Sequence, residues 1–171
     1  MDTRVQHEQY MRLAIAAAHE AHQNGGVAIG AVLVEDSTGG VVAHGGSLVG
    51  VTKDPTSHAE ANCIRKACKQ RGSDDLYGFT LYSTLEPCHM CLSCAAWAKI
   101  SHVYFGSYRK DVDASLFDQI GTIDDEKEAA NMNLREVDQM HAQGGVLENE
   151  CTQLLRHYQD NPKHSNEPYK G

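Results

Sequence analysis

No stretch of this sequence approaches the run of about 18 apolar residues that a membrane-spanning helix requires. The longest apolar stretches cover residues 27–34 and 13–18 and are far too short. The opening residues, Met1-Asp2-Thr3-Arg4-Val5-Gln6, contain no apolar h-region, so they do not read as a secretory signal. Internal repeats are missing, and no linker divides the chain. It reads as one domain over residues 1–159, followed by a polar, two-proline tail over 160–171 with the composition of a disordered end. Positive charge is also scarce: 15 Lys and Arg face 23 Asp and Glu, a net charge of −8. Nucleic-acid affinity comes largely from cations that displace counterions, so an acidic chain is a poor partner for phosphate backbones. These absences make a cytoplasmic globular protein the default, with no membrane span and with nucleic acid disfavoured as a partner but still open through a local basic patch.

What is present fits that outline. With 41% hydrophobic and 22% charged side chains in 171 residues, the composition is that of an ordinary globular domain. A chain of this length buries roughly two-thirds of the surface its unfolded form exposes, enough for a core without staples. Six cysteines without an export signal are expected as reduced thiols or metal ligands.

Apolar residues at three- and four-residue steps (Met11, Ala14, Ile15, Ala18, Ala21, His22) predict a helix over 7–24, ended by Gly25-Gly26. Residues 27–34 form a continuous apolar run of strand length. Turn chemistry over 35–40 then returns the chain as a partner strand over 41–48. A loop over 52–57 leads into a helix over 57–71, and residues 79–84 form a third strand. Pro87 is expected in the first turn of a helix running to 99, and a fourth strand covers 102–107. A short helix over 114–120, a strand over 134–140 and a final helix over 147–158 complete the reading. Helices alternating with strands imply an α/β domain with a sheet between helical layers.

Two segments carry chemistry: His58-Ala59-Glu60, and Pro87-Cys88-His89-Met90-Cys91. Each lies at the expected start of a helix. Cys88 and Cys91 are three apart and share a helix face, where the dipole and free backbone N–H groups favour the thiolates that bind metal. His58 offers an imidazole as third ligand. Two Cys and one His with an open position form the ligand set of a catalytic zinc, one Zn2+ per subunit, rather than of a closed structural site. Glu60, two residues after the ligand histidine, is placed to relay protons without binding the metal.

These residues resemble the zinc-dependent cytidine deaminase superfamily. Asp54-Pro55-Thr56-Ser57-His58-Ala59-Glu60 and Thr84-Leu85-Glu86-Pro87-Cys88-His89-Met90-Cys91 are similar to the branch holding guanine deaminases, fungal-type cytosine deaminases and tRNA adenosine deaminases. Within it, residues 64–69 and Trp97 most resemble bacterial guanine deaminases, whereas residues 25–30 are closer to the cytosine enzymes. The resemblance implies a three-layer α/β/α sandwich with a five-stranded mixed sheet, assembled as a homodimer. It also implies that His58, Cys88 and Cys91 bind zinc, that Glu60 shuttles protons, and that the backbone N–H of Ala59 holds the substrate. The sequence departs from the family where the base is read. Ser47 replaces the family's asparagine, and Gln119, with Asp118 beside it, stands where guanine deaminases place an aspartate.

Other readings weigh against these. A closed zinc site would need Cys94, but a helix turns each three-residue step by about 60°, which swings Cys94 off the site and into the core. A redox C-x-x-C would leave His58 and Glu60 unexplained. Trp97 reads equally as a core residue or as a wall against the base. Cys63, Cys68 and Cys151 read as packing, and His44 as a surface or core histidine. The expected function is hydrolytic deamination of a free nucleobase or related amino-heterocycle, guanine first. Cytosine, a tRNA adenosine and a non-catalytic zinc module follow in that order.

Overall fold

Residues 3–112 and 140–160 are described by the structure, a computed structural model. Helix α1 (Thr3–Gln23) leads into a hairpin of β1 (Val27–Glu35) and β2 (Gly40–Ser47). A single turn, α2 (Val49–Thr52), precedes α3 (Ala59–Arg71), β3 (Phe79–Leu85), α4 (His89–Trp97) and β4 (His102–Ser107). A 3-10 turn follows at Arg109–Asp111, then β5 (His141–Gln143) and a final helix, α5 (Glu148–Asp160).

The strands form one five-stranded sheet in the order β2-β1-β3-β4-β5. β1 runs antiparallel to β2 and β3, while β3, β4 and β5 are mutually parallel, so the sheet is mixed. Side chains alternate across it. On one face Ile29, Ala31, Leu33, Leu81 and Leu85 pack under α3 and α4 with Ala59, Ile64, Ala67 and Ala95. On the other face Val32, Val34 and Tyr82 pack against Met11 and Ala14 of α1 and Cys151 of α5. The result is the expected three-layer α/β/α sandwich.

Close backbone approach sets where the helices sit. A Cβ at Gly45 of β2 would meet the backbone of Ala59 and Cys63, so the first turn of α3 lies directly on that strand. A Cβ at Gly30 would collide with the backbone of Ala14 and Ala18, which seats α1 on β1.

Several boundaries differ from the sequence expectation for local reasons. Pro87 lies outside α4, whose N-cap is Cys88 (φ −76, ψ 168). The Glu86 N–H donates to Ser107 O at 2.9 Å, which keeps the chain extended past the end of β3 and delays the helix. α4 ends at Trp97 rather than residue 99, because Lys99 adopts φ 60 and cannot continue a right-handed helix. α3 starts at Ala59 rather than residue 57, with His58 extended as its N-cap. α2 was not expected, since Val-Gly-Val-Thr is a poor helix former; Lys53 in the left-handed region (φ 57) closes it. The fifth strand lies at His141–Gln143, just beyond the expected 134–140. Its register is fixed by parallel pairing with β4, His102 opposite His141, and not by its own exposed residues. α5 runs on to Asp160 and so takes in the first residue of the expected tail. Residues 134–139, the expected helix over 114–120 and the tail over 161–171 lie outside the described residues. Among the described residues, no helix is long and apolar enough to cross a membrane.

Candidate active site

Two helix starts meet at one end of the parallel strands. His58 caps α3 and Cys88 caps α4, both with extended backbone, and Cys91 lies in the first turn of α4. The cap position turns a side chain back toward the helix terminus, which lets His58 and Cys88 face each other across two helices. His58 Nδ1 lies 3.5 Å from Cys88 Sγ and 3.6 Å from Cys91 Sγ. All three donor atoms fall within 4.8 Å of one another.

These separations fit a zinc ion. With Zn–N near 2.0–2.1 Å and Zn–S near 2.3 Å, a tetrahedral angle places nitrogen and sulfur about 3.6 Å apart. The donor set is therefore already at bonding geometry, and the cluster is the only group of this kind among the described residues. Cys94 lies outside it and packs against the core, as the helix rotation requires.

Glu60, in the first turn of α3, is only 4% exposed. One carboxylate oxygen, Oε1, accepts from Ser83 Oγ at 3.2 Å; the other, Oε2, lies 3.5 Å from Cys91 Sγ. Burial pushes this carboxyl above the usual carboxylate range, and charge on Cys88 pushes it the same way. The Cys88 thiol is pulled down to about 3, first by the hydrogen bond from Cys91 and, against the opposing effect of burial, by that from His58. Cys91 is pushed up by the same contact with Cys88 and by burial.

Around this centre, Asn62 ties the loop before His58 to the end of β2, donating to Ser57 O at 3.1 Å and to Gly46 O at 2.9 Å. Ser47, the last residue of β2, is 6% exposed beside this tie. Glu86 anchors the chain after β4: its Oε2 accepts from the Arg109 N–H at 2.9 Å, and its carbonyl from Arg109 Nε at 3.1 Å. Ala59 is fully buried as the first residue of α3, where backbone N–H groups have no partner within the helix. Ser83, Asn62 and Glu86 escaped the sequence reading. The one available signal was a serine at the strand position between Leu81 and Leu85, on the same face as both.

The remaining expected residues are less central. Trp97 is 76% exposed at the last residue of α4, so it is not a core residue. It stands about 9 Å along the helix axis from Cys91. Asp118 and Gln119 lie outside the described residues. His44 is a surface residue, its Nε2 3.6 Å from Glu20 Oε2. His89 lies outside the ligand cluster, and its Nε2 is shielded from solvent with no hydrogen-bond partner among the described residues. Cys63 and Cys151 are fully buried and Cys68 is half-buried, all as packing groups.

Residues 4–107 match the family described as the cytidine and deoxycytidylate deaminase zinc-binding region. The chain belongs to this family. It is 39% identical to guanine deaminase of Bacillus subtilis over 113 residues, 66% of this chain and 71% of that protein. It is 36% identical to the tRNA-specific adenosine deaminase of the same organism over 154 residues, 88% of this chain and 86% of that one. A solved structure from work on A-to-I editing by tRNA:A34 deaminases superposes with a TM-score of 0.66 at 33% identity, covering 86% of this chain and 99% of that one. The α/β architecture and mixed sheet agree with that neighbour. The family is one of zinc-binding hydrolytic deaminases, and His58, Cys88 and Cys91 are the residues that can hold its metal.

Proposed function

We propose that this deaminase acts on a free amino-heterocycle, guanine first, with Glu60 as its proton shuttle. The observation that carries the reading is the buried carboxylate whose Oε2 lies 3.5 Å from a ligand sulfur while His58, Cys88 and Cys91 are already at zinc-binding distances. Zinc held by His58, Cys88 and Cys91 would supply Lewis acidity that makes a water nucleophilic near neutral pH. Glu60 takes a proton from the attacking water as the water oxygen bonds to the amine-bearing ring carbon, and gives that proton to the adjacent ring nitrogen. Glu60 then moves the proton of the newly added hydroxyl to the amine. The C–N bond breaks, ammonia leaves and an oxo product remains. The Ala59 N–H donates to the substrate edge. The Ser47 hydroxyl reads the base from the end of β2, with Asp118 or Gln119 completing the recognition. Trp97 would contribute only from the periphery.

A free base is supported by the net charge of −8 and by the pairing of cations with carboxylates on the surface. Arg12 lies 3.5 Å from Glu8, Arg71 lies 3.4 Å from Glu35, and Lys99 lies 2.7 Å from Asp75. The second reading, a tRNA adenosine, is favoured by one specific finding: the tRNA deaminase of Bacillus subtilis aligns with 88% of the chain, the guanine deaminase with 66%. Ammonia release decides between them. The panel is guanine, cytosine, adenine, their nucleosides, aminotriazines, pterins and an anticodon hairpin with adenosine at the wobble position. Turnover of guanine or another free ring supports the first reading, and turnover of the hairpin alone overturns it. A homodimer belongs to the same proposal, with sedimentation velocity as its check.

A further inference from the structure

We propose that Ser83 is a positioning residue that holds Glu60 in its working orientation; the inference rests on Glu60 being the proton shuttle. Ser83 lies in the middle of β3, opposite Ala31 of β1 and Phe105 of β4. Alternation puts it on the same face as Leu81 and Leu85, under α3 and α4. Both of those neighbours are apolar, and Ser83 is fully buried, so its hydroxyl needs a partner inside the protein. That partner is Glu60 Oε1, 3.2 Å away and 23 residues distant in sequence.

The contact makes the two carboxylate oxygens unequal. Oε1 is tied to the floor of the site by a strand residue that cannot move without the sheet. Oε2 is left facing Cys91 at 3.5 Å, toward the ligand cluster. A glutamate on the first turn of a helix has three rotatable bonds, and burial alone does not choose among its rotamers. Ala31, paired with Ser83 on the neighbouring strand, has no polar side-chain atom to offer, so the hydroxyl supplies the tether from this part of the floor. A hydroxyl both donates and accepts, so the tie holds whichever form the carboxyl takes.

The experiment compares S83A, S83V and S83T with wild type in the zinc-loaded full chain, using the panel compound that wild type turns over fastest. S83A and S83V are expected to keep zinc stoichiometry and KM while kcat falls roughly ten- to hundredfold, the scale of a misplaced reacting group. S83T keeps the hydroxyl and restores kcat to within about threefold. The infrared carboxylate band that disappears in E60Q provides a readout independent of turnover. It shifts in S83A and S83V and stays in place in S83T. An unshifted band in S83A, wild-type kcat in S83A, or S83T as impaired as S83V would each overturn the proposal. Full turnover by zinc-loaded E60Q would instead overturn the shuttle reading, and the infrared comparison would still show whether Ser83 holds the carboxylate.

Discussion

The two faces of the sheet treat their buried polar groups in opposite ways. Under α1, the polar tips close on one another: His7 Nδ1 lies 2.7 Å from the Tyr82 hydroxyl, and the Tyr10 hydroxyl donates to Gly39 O at 2.8 Å. The rings of Tyr82 and Tyr104 stack beside these bonds, with His7 tilted against Tyr104 and Tyr10 against Tyr82, and their hydrophobic area holds the layer together. Under α3 and α4, the polar atoms instead converge. Three donor atoms within 4.8 Å and a buried carboxylate crowd one locus with more electron pairs than protons to share. One face is arranged for stability; the other keeps a destabilising cluster that a cation would relieve.

The sharpest way to break this contrast is to remove a ligand. Cys91→Ser is expected to abolish stoichiometric zinc and lower turnover by more than about a thousandfold, read by elemental analysis and ammonia release. Glu60→Gln should keep zinc while kcat falls by roughly a hundred- to ten-thousandfold, the usual range for an acid–base group. The same substitution separates the faces by pH. Because burial raises the Glu60 pKa, the stability it confers on metal-free protein is full below its ordinary 4.5 and is lost as pH rises through the raised value. Thermal melts of chelator-treated Glu60→Gln should lack that decline.

The far face carries the opposite sign. Burial, then charge on His102, lowers the His7 pKa below its ordinary 6.5, so its contribution is present above pH 6.5 and lost as pH falls through the depressed value. His7→Phe should flatten the acid side of the melting profile and leave kcat unchanged. Tyr82→Phe removes one hydroxyl from the closed pair and should cost about 1 kcal/mol in denaturant melts, again without loss of activity. The smallest effect is expected of Trp97→Ala: stability within about 0.5 kcal/mol and KM within about twofold. A large rise in KM would bring Trp97 into the substrate site.

Much of this was legible in the chain. The apolar steps of α1, the continuous run of β1 and the turn before β2 announced a helix and a hairpin, because solvent exclusion imposes those periods locally. His58, Cys88 and Cys91 were legible because metal chemistry restricts both residue type and spacing, and both segments follow loop or strand chemistry. Ser83 was not, because a lone serine in a strand has no local signature of its partner. α2 and the place of β5 also escaped. Their sequences are weak formers, held by Lys53 in the one case and by pairing with β4 in the other.

The sequence by itself determined an α/β chain, a set of soft ligands for one cation and a carboxylate two residues from an imidazole. Only the tertiary structure decided that the two helix starts meet, that the donor atoms stand 3.5 to 3.6 Å apart, and that a strand hydroxyl lies beneath Glu60. The reason is physical. Periodicity and ligand chemistry act between neighbours in the chain, whereas the register of β3 between β1 and β4 is fixed by packing across the whole sheet.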